Sequence, residues 1–204
     1  MTYDKIKRIS DLKIVLKDME PYIKDPRVLR VGRPIPNFSL RPREAFANWL
    51  LCVVGNYYYG NDQLTFAEDP TGGDGIILNK ISNELILTEH VYIPEQKPEN
   101  VDGGEDLMMS AVQHKVSGKN TAYAKGKHLI IFSEANVIWT PNRVARRIHG
   151  THDFESVWAM GLMWGNEIEY KYSITRLTKP NPDSMVWTVS IDFNFTSWSV
   201  ERIQ

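Results

Sequence analysis

Two acidic residues stand at the outer ends of a segment, residues 69–91, that has the pattern of a β-hairpin. Asp74 lies in a glycine-rich turn just before the apolar run Ile76-Ile77-Leu78. Glu89 comes late in the second apolar stretch, which starts at Leu85. Because antiparallel strands bring such ends to one side of a sheet, we expect the two carboxylates to lie close together. Two neighbouring carboxylates are the smallest ligand set for a divalent cation.

A predicted helix upstream carries two further polar candidates. The residues from about Pro42 to Tyr57 are apolar nearly all round, which is typical of a buried helix. Glu44 and Asn48 are four positions apart and therefore share one face of this helix. Either both side chains face a functional site, or Glu44 lies in the first turn because the helix dipole favours an acid there. The sequence leaves both interpretations open.

The densest basic cluster of the chain comprises Arg143, Arg146 and Arg147. It lies in a predicted helix that opens at Thr140-Pro141, a capping residue followed by a proline at the first helical position. Guanidinium groups are common phosphate contacts, so these arginines are candidates for binding nucleic acid. The alternative is an ordinary solvated helix face.

Composition limits the class of protein. The chain has 204 residues, of which 42% are hydrophobic, so a sizeable core is expected. The net charge of −1 gives no overall attraction to nucleic acid or to anionic lipid. Cys52 is the single cysteine, which excludes a disulfide framework. Without a signal-peptide pattern or a long apolar run, we expect a soluble, cytoplasmic protein with no membrane partner.

The N-terminal part, residues 1–41, is predicted to contain a short helix and an extended arm. Ser10 resembles a helix N-cap, and the helical spacing continues up to Pro21. Residues 21–43 carry five prolines and several basic residues. Because proline disfavours helices and central strands alike, we expect an extended connector that could follow a phosphate backbone or remain a solvated linker.

Residues 42–204 are predicted to form a single α/β domain. Two continuous apolar runs, residues 129–132 and 157–162, are typical of central strands that are buried on both faces. Residues 167–204 are expected to form a C-terminal β-hairpin and a tail that packs on the body. The predicted fold class is α/β, with a central mixed β-sheet flanked by helices on both sides.

This order of helix, strands, helix and strand, with acids at the positions named, resembles the PD-(D/E)xK nucleases, the restriction-endonuclease-like superfamily. The resemblance covers about residues 42–162. It implies that Glu44 matches the helix acid, Asp74 the Asp, and Glu89 the Glu of the Glu-x-Lys motif. It further implies Mg²⁺ (or Mn²⁺) bound by Asp74, Glu89 and, directly or through water, Glu44, together with hydrolysis of DNA and the possibility of a homodimer.

One position departs from the pattern of that family. Two residues after Glu89 stands Val91 and not Lys. Residues i and i+2 of a strand share a face, so a Lys there would reach the metal-bound water, which Val91 cannot activate. His90 is adjacent but is expected on the opposite face. In some members the following helix supplies the missing base, and here Lys115 or Gln113 could do so.

Three functions therefore remain open from the sequence. The acids in their order and the arginine cluster favour a metal-dependent nuclease. Val91 and the near-zero net charge favour a non-catalytic interaction or nucleic-acid-binding protein on a nuclease-like scaffold. The third possibility is a small-molecule-binding enzyme that uses the consecutive tyrosines 57–59 as a pocket wall.

Overall fold

The chain forms one eight-stranded mixed sheet with helices in a computed structural model that describes residues 6, 9–31, 40–95, 103–119, 121–177 and 183–204. The helices are α1 (Leu12–Lys24), α2 (Pro26–Val31), α3 (Pro42–Tyr59), α4 (Gly104–Val116) and α5 (Pro141–Ile148). The strands are β1 (Leu64–Ala67), β2 (Ile76–Asn79), β3 (Leu85–Ile93), β4 (Lys127–Ser133), β5 (Ser156–Gly165), β6 (Glu169–Leu177), β7 (Met185–Asp192) and β8 (Trp198–Arg202). The predicted α/β class with a mixed sheet is confirmed.

Every strand lies beside its neighbours in sequence, so the strand order in space is simply β1 to β8. The pairs β3–β4 and β4–β5 are parallel, and all the other pairs are antiparallel. Parallel neighbours need a crossover connection, and α4 and α5 lie in the two connections concerned. The parallel register places Glu89 of β3 beside Leu129 of β4.

Helices cover both faces of the sheet, as the sequence predicted. The first face packs against α3, where the side chains of Phe46, Trp49 and Leu50 are completely buried. The second face packs against α4 and α5, whose Val112 and Val144 are also completely buried. We call these the α3 face and the α4 face of the sheet. Because strand residues alternate between faces, the central strands β3 to β6 contribute to two separate cores.

The first helix differs from its prediction at both ends. Its N-cap is Asp11 and not Ser10, because the Asp11 carboxylate accepts hydrogen bonds from two backbone amides of the first turn. The helix also continues through Pro21 to Lys24. Buried residues on either side of the proline, including Met19 and Ile23, pack into the same core as α3. This packing offsets the backbone hydrogen bond that proline removes.

The prediction of an extended connector over residues 21–31 is wrong, because α1 and α2 occupy them. Pro26 is the first residue of α2, a position that tolerates proline because no helical partner is needed there. Arg30 of α2 pairs with the carboxylates of Glu95 and Glu134. Residues 32–39, the rest of the predicted arm, lie outside the described residues.

The C-terminal part confirms the predicted hairpin, which is formed by β6 and β7. The tail adds the edge strand β8 beside β7, and Phe195 before it is buried. The tail therefore packs on the body as expected. Within the described residues, no helix is long and apolar enough to cross a membrane.

Candidate metal centre

Three oxygen atoms converge on the ammonium group of Lys115. The Lys115 Nζ atom lies 3.2 Å from Asp74 Oδ2 and 2.9 Å from Glu89 Oε2. It also donates a hydrogen bond of 2.8 Å to the backbone carbonyl oxygen of His90. Two carboxylates and one carbonyl thus surround one cationic position at the β2–β3 hairpin. We call this arrangement the metal centre candidate.

The backbone around Asp74 is held in place by α3. The side-chain amide of Asn48 donates to the carbonyl oxygen of Asp74 at 3.2 Å and accepts from the Thr88 hydroxyl at 2.9 Å. Gly75 has a φ angle of 141°, and a Cβ atom there would collide with the amide nitrogen of Asn48. Only glycine combines this backbone angle with so close an approach. Asn48 therefore holds the backbone at Asp74, whereas the sequence left open whether Glu44 and Asn48 face a functional site.

The carboxylate of Asp74 is oriented by the next strand. Its Oδ2 atom accepts a hydrogen bond of 2.7 Å from the backbone amide of His90. Asp74 precedes β2 while His90 lies within β3, and the antiparallel pairing of these strands brings the two residues together. The predicted hairpin thus places Asp74 beside Glu89, the neighbour of His90, and both carboxylates share Lys115.

Glu89 is the most strongly bound carboxylate of the group. Its Oε1 atom lies 2.6 Å from Lys127 Nζ, and its Oε2 atom accepts from the Tyr123 hydroxyl at 2.5 Å. Burial alone would raise the pKa of Glu89, but the hydrogen bonds from Lys127, Tyr123 and Lys115 outweigh burial and lower this pKa to about 2. Glu89 is consequently ionised at neutral pH, as a cation ligand must be.

Tyr123 and Lys127 are functional candidates that the sequence did not single out as site residues. Lys127 Nζ lies 4.4 Å from the centroid of the Tyr123 ring, and Lys119 Nζ lies 3.5 Å from it. Burial and the hydrogen bond to Glu89 raise the pKa of the Tyr123 phenol, which therefore stays a neutral donor. The sequence feature that could have indicated Lys127 is the basic turn at the start of the buried strand β4, whose first residue is Lys127.

The last turn of α4 supplies the lysine that is absent from β3. Lys115 reaches both carboxylates, whereas Val91 packs among the apolar residues of the α4 face. Gln113 is exposed, and no hydrogen bond joins its side chain to Asp74 or Glu89 in the described part of the chain. Of the two helix residues considered from the sequence, the geometry brings Lys115 to the acids.

Glu44 does not join the two acids in a single cluster. Its carboxylate accepts a hydrogen bond of 3.0 Å from the backbone amide of Arg41 at the start of α3, as in a capping box. Burial raises the pKa of Glu44, and the negative charge of Asp74 adds to this effect. Across the described residues, no three His, Cys, Asp or Glu side chains are close enough to hold a metal ion together.

His90 lies on the face opposite to Glu89, because adjacent strand residues alternate. Its side chain is 8% exposed, and neither ring nitrogen has a hydrogen-bond partner among the residues that the structure describes. Burial lowers the pKa of His90 to about 4, so the ring is neutral at pH 7. The contribution of His90 to the metal centre candidate is its backbone, since its amide binds Asp74 and its carbonyl binds Lys115.

Two of the three arginines of α5 pair with the start of α4. Arg147 lies 2.5 Å from Asp106, and Arg143 lies 3.9 Å from Glu105. Arg146 is exposed and has no ion pair among the described residues. Asp106 precedes Lys115 by nine residues, which is roughly 14 Å along a helix axis. The arginine cluster therefore lies away from the acids, and its nucleic-acid role stays a prediction.

The donor atoms at the metal centre candidate fit a hard divalent cation. Mg²⁺ and Mn²⁺ prefer carboxylate, carbonyl and water oxygens, and Asp74, Glu89 and the His90 carbonyl present oxygens alone. These three groups already face one positive charge, that of Lys115. A divalent cation in the same position would meet the same oxygens.

No protein-family model matches this chain, and neither a curated protein nor a solved structure matches it.

Proposed function

We propose that the chain is a divalent-metal-dependent nuclease of the PD-(D/E)xK type that hydrolyses phosphodiester bonds in DNA. The observation that carries the proposal is the convergence of Asp74, Glu89 and the His90 carbonyl on one cationic position. The order α3, β1 to β3, α4, β4, with the two helices on opposite faces of the sheet, adds support. It agrees with the restriction-endonuclease-like core that the sequence resemblance implies.

In this proposal Asp74, Glu89 and the His90 carbonyl would hold Mg²⁺ or Mn²⁺. Such a cation, when bound, lowers the pKa of a coordinated water and offsets charge on the phosphate. The chain itself keeps Glu89 ionised and holds both carboxylates in place. Asn48 and the His90 amide position Asp74, while Lys127 and Tyr123 position Glu89 and hold its pKa low.

Lys115 is the residue that takes the part of the absent motif lysine. Its side chain is 15% exposed, and its ammonium group contacts both acids. A bound cation would displace the ammonium group from the position that it holds between the acids, and beside the cation the ammonium group would orient an attacking water and neutralise a phosphate oxygen. Because Lys115 comes from α4 and not from β3, it can keep this role although Val91 occupies the usual position.

Cleavage assays with plasmid and single-stranded DNA in the presence of Mg²⁺ or Mn²⁺ test the proposal. The Asp74→Ala variant removes one ligand and should reduce cleavage to background. The matched control is Glu84→Ala, which removes an exposed acid from the turn of the same hairpin and should retain cleavage. Equal cleavage by the wild type and Asp74→Ala would overturn the assignment.

The alternative function is a non-catalytic interaction or nucleic-acid-binding protein on the same scaffold. The observation that favours it is that Asp74 and Glu89 already have lysine partners, so their charges are balanced without a metal. Calorimetric titration with Mn²⁺ separates the two functions. Binding that is lost in Asp74→Ala supports the nuclease, while DNA binding without Mn²⁺ binding or cleavage supports the alternative.

A further inference from the structure

A second, chemically different pocket lies on the α3 face of the sheet. Its volume is about 90 Å³, and it lies where the C-terminal half of α3 crosses several strands. Apolar walls come from α3 and the strands, with Tyr58 and Tyr59 at the exposed end of the helix. Its aromatic wall includes Trp158 and Trp187, which stack with ring centroids 5.9 Å apart. We call it the aromatic pocket.

The buried polar groups of this pocket include two donors that have no partner within the described residues. Arg176 lines it, with its guanidinium carbon 5.4 Å from the centroid of the Trp158 ring, and the buried Arg176 Nε atom donates no hydrogen bond to any residue that the structure describes. Trp187 is 1% exposed, and its indole Nε1 atom also has no acceptor in the described ranges of the chain. Buried donors without acceptors are costly in a folded protein. A ligand that supplies an acceptor would remove that cost.

His128 is a third donor, because its hydrogen bond to Ser156 places the ring proton on Nε2. The Trp158 indole donates to Ser156 Oγ at 2.7 Å, so the Ser156 hydroxyl is available to donate to His128 Nδ1 at 2.8 Å. In the neutral ring the proton is then on Nε2, which is a donor. Burial and the nearby Arg176 charge lower the pKa of His128 to about 4, so the ring is neutral at pH 7. Three donor side chains, from β4, β6 and β7, thus line one pocket.

The charge of Arg176 also lacks compensation. No carboxylate pairs with Arg176 in the part of the chain that the structure describes, whereas Lys115 and Lys127 on the other face both have acidic partners. A partly buried guanidinium group favours an anionic ligand, and a carboxylate fits its planar donors in a bidentate way. The stacked indoles favour a flat aromatic body.

We propose that the aromatic pocket binds a small aromatic carboxylate, with one ring against Trp158 and Trp187 and its carboxylate on Arg176. The pocket volume of about 90 Å³ is smaller than the closed cavity of about 150 Å³ that holds benzene, but the pocket opens to solvent, so one ring can enter without being enclosed on every side. Tyr58 and Tyr59 flank the pocket, where the sequence suggested that the tyrosine run could form a pocket wall. The proposal is independent of the nuclease function, since the pocket shares no side chain with the metal centre candidate.

The test uses benzoate as the probe, with benzyl alcohol as the uncharged analogue of similar shape. The titration follows indole N–H resonances by NMR in EDTA, so that its outcome does not depend on any metal. We expect a saturable shift of the Trp187 indole resonance, assigned with Trp187→Phe, and none for Trp164. Benzoate should bind at least about tenfold more tightly than benzyl alcohol.

Two substitutions test the role of the charge. Arg176→Met keeps the length of the side chain but should remove the preference for benzoate, while Arg176→Lys should retain part of it. Arg27→Met is the matched control, because Arg27 is an exposed arginine of α2 and the preference should be unchanged. Circular dichroism confirms that each variant is folded.

Three results would overturn the proposal. The first is the absence of any saturable shift in the folded wild type up to about 10 mM benzoate, a weak affinity for a ligand of this size. The second is an unchanged preference for benzoate over benzyl alcohol in Arg176→Met. If guanosine bound more tightly than benzoate, the ligand class would be a nucleobase, and the aromatic acid would be excluded.

Discussion

On one face of strands β3 and β4 the charged side chains pair with opposite charges, whereas the other face holds an arginine without an acidic partner among the described residues. On the α4 face, Glu89 and Lys127 lie 2.6 Å apart, and each charge meets an opposite one. On the α3 face, Thr88 contacts α3 and His128 lines the aromatic pocket beside Arg176, which has no acidic partner among the described residues. Neighbouring residues of one strand thus serve two chemically different sites. A shift of the register by one residue would exchange them.

The two neighbouring sites differ in whether their charges and hydrogen-bond donors already have partners within the described residues. At the metal centre candidate the charges are balanced, so the protein alone is stable there and a divalent cation must compete with Lys115. At the aromatic pocket the donors outnumber the acceptors, so the protein alone carries a cost that a ligand can remove. Under the two proposals, the first site would exchange Lys115 for a divalent cation, and the second would take an anion.

The largest expected effect concerns cleavage at the α4 face. Glu89→Gln removes a charged ligand and leaves Lys127 without its carboxylate, so metal-dependent cleavage should fall at least about a hundredfold, or more than ~2.7 kcal/mol of transition-state stabilisation. Initial rates of plasmid cleavage measure this loss. Glu84→Gln, in the exposed turn of the same hairpin, should cleave normally. An active Glu89→Gln enzyme would mean that the two faces do not differ in catalytic role.

The next effect concerns stability on the α3 face. Trp187 is 1% exposed, so Trp187→Ala should lower the free energy of unfolding by about 3–5 kcal/mol through lost burial and a new cavity. Urea denaturation provides the measurement. The matched variant is Trp164→Ala, because Trp164 is 43% exposed and should lose less than about 1.5 kcal/mol. Similar losses in both would show that Trp187 contributes no particular packing.

A pH effect on stability should follow from His128. The folded state holds the pKa of His128 at about 4, below its usual value of 6.5, because of burial and the Arg176 charge. Between these two values the unfolded chain binds a proton that the folded chain does not. Stability should therefore fall as the pH is lowered from about 6.5 to about 4, by an amount on the order of 1–3 kcal/mol.

Urea midpoints measured across that pH range check the expectation. His128→Gln should show a smaller fall than the wild type, because the residue that must stay neutral is gone. His149→Gln replaces an exposed histidine and should leave the wild-type dependence in place. Identical pH profiles for His128→Gln and the wild type would remove His128 from the explanation.

The smallest expected effect concerns the arginine cluster of α5. Arg147 and Asp106 are both largely exposed, so Arg147→Met should cost less than about 1 kcal/mol of stability. If the cluster contacts phosphates, the same change should reduce the salt dependence of duplex binding by about one unit of log–log slope. Fluorescence anisotropy at several salt concentrations provides the measurement. An unchanged slope would mean that Arg147 pairs with Asp106 of α4 and does not contact phosphates.

Much of the local structure could be predicted from the sequence because it follows from the pattern of apolar and polar residues within each short segment. The apolar runs around Asp74 and Glu89 predicted the hairpin, and the hairpin placed the two acids together. The apolar character of α3 predicted its burial. Lys115 became a candidate through the family resemblance, because some members take the missing base from the helix that follows, and the sequence did not decide between Lys115 and Gln113.

Other features depended on contacts between distant parts of the chain. Lys127 meets Glu89 because β3 and β4 pair in parallel, and no periodicity in the sequence gives the register between them. Pro21 continues α1 because tertiary packing outweighs helix propensity. From the sequence, Glu44 could either face the site or lie in the first turn of its helix. In the structure its carboxylate accepts a hydrogen bond from the Arg41 amide at the start of the helix.

The sequential strand order also has a kinetic consequence. The residues that surround Lys115 belong to the stretch 74–127, and the contact of Lys115 with Asp74 spans 41 residues of the chain. The aromatic pocket needs residues from Leu51 to Trp187 and cannot form before β7 has joined the sheet. Local contacts form faster than distant ones. During refolding, the amide of His90 should therefore become protected from hydrogen exchange before the amide of Trp187.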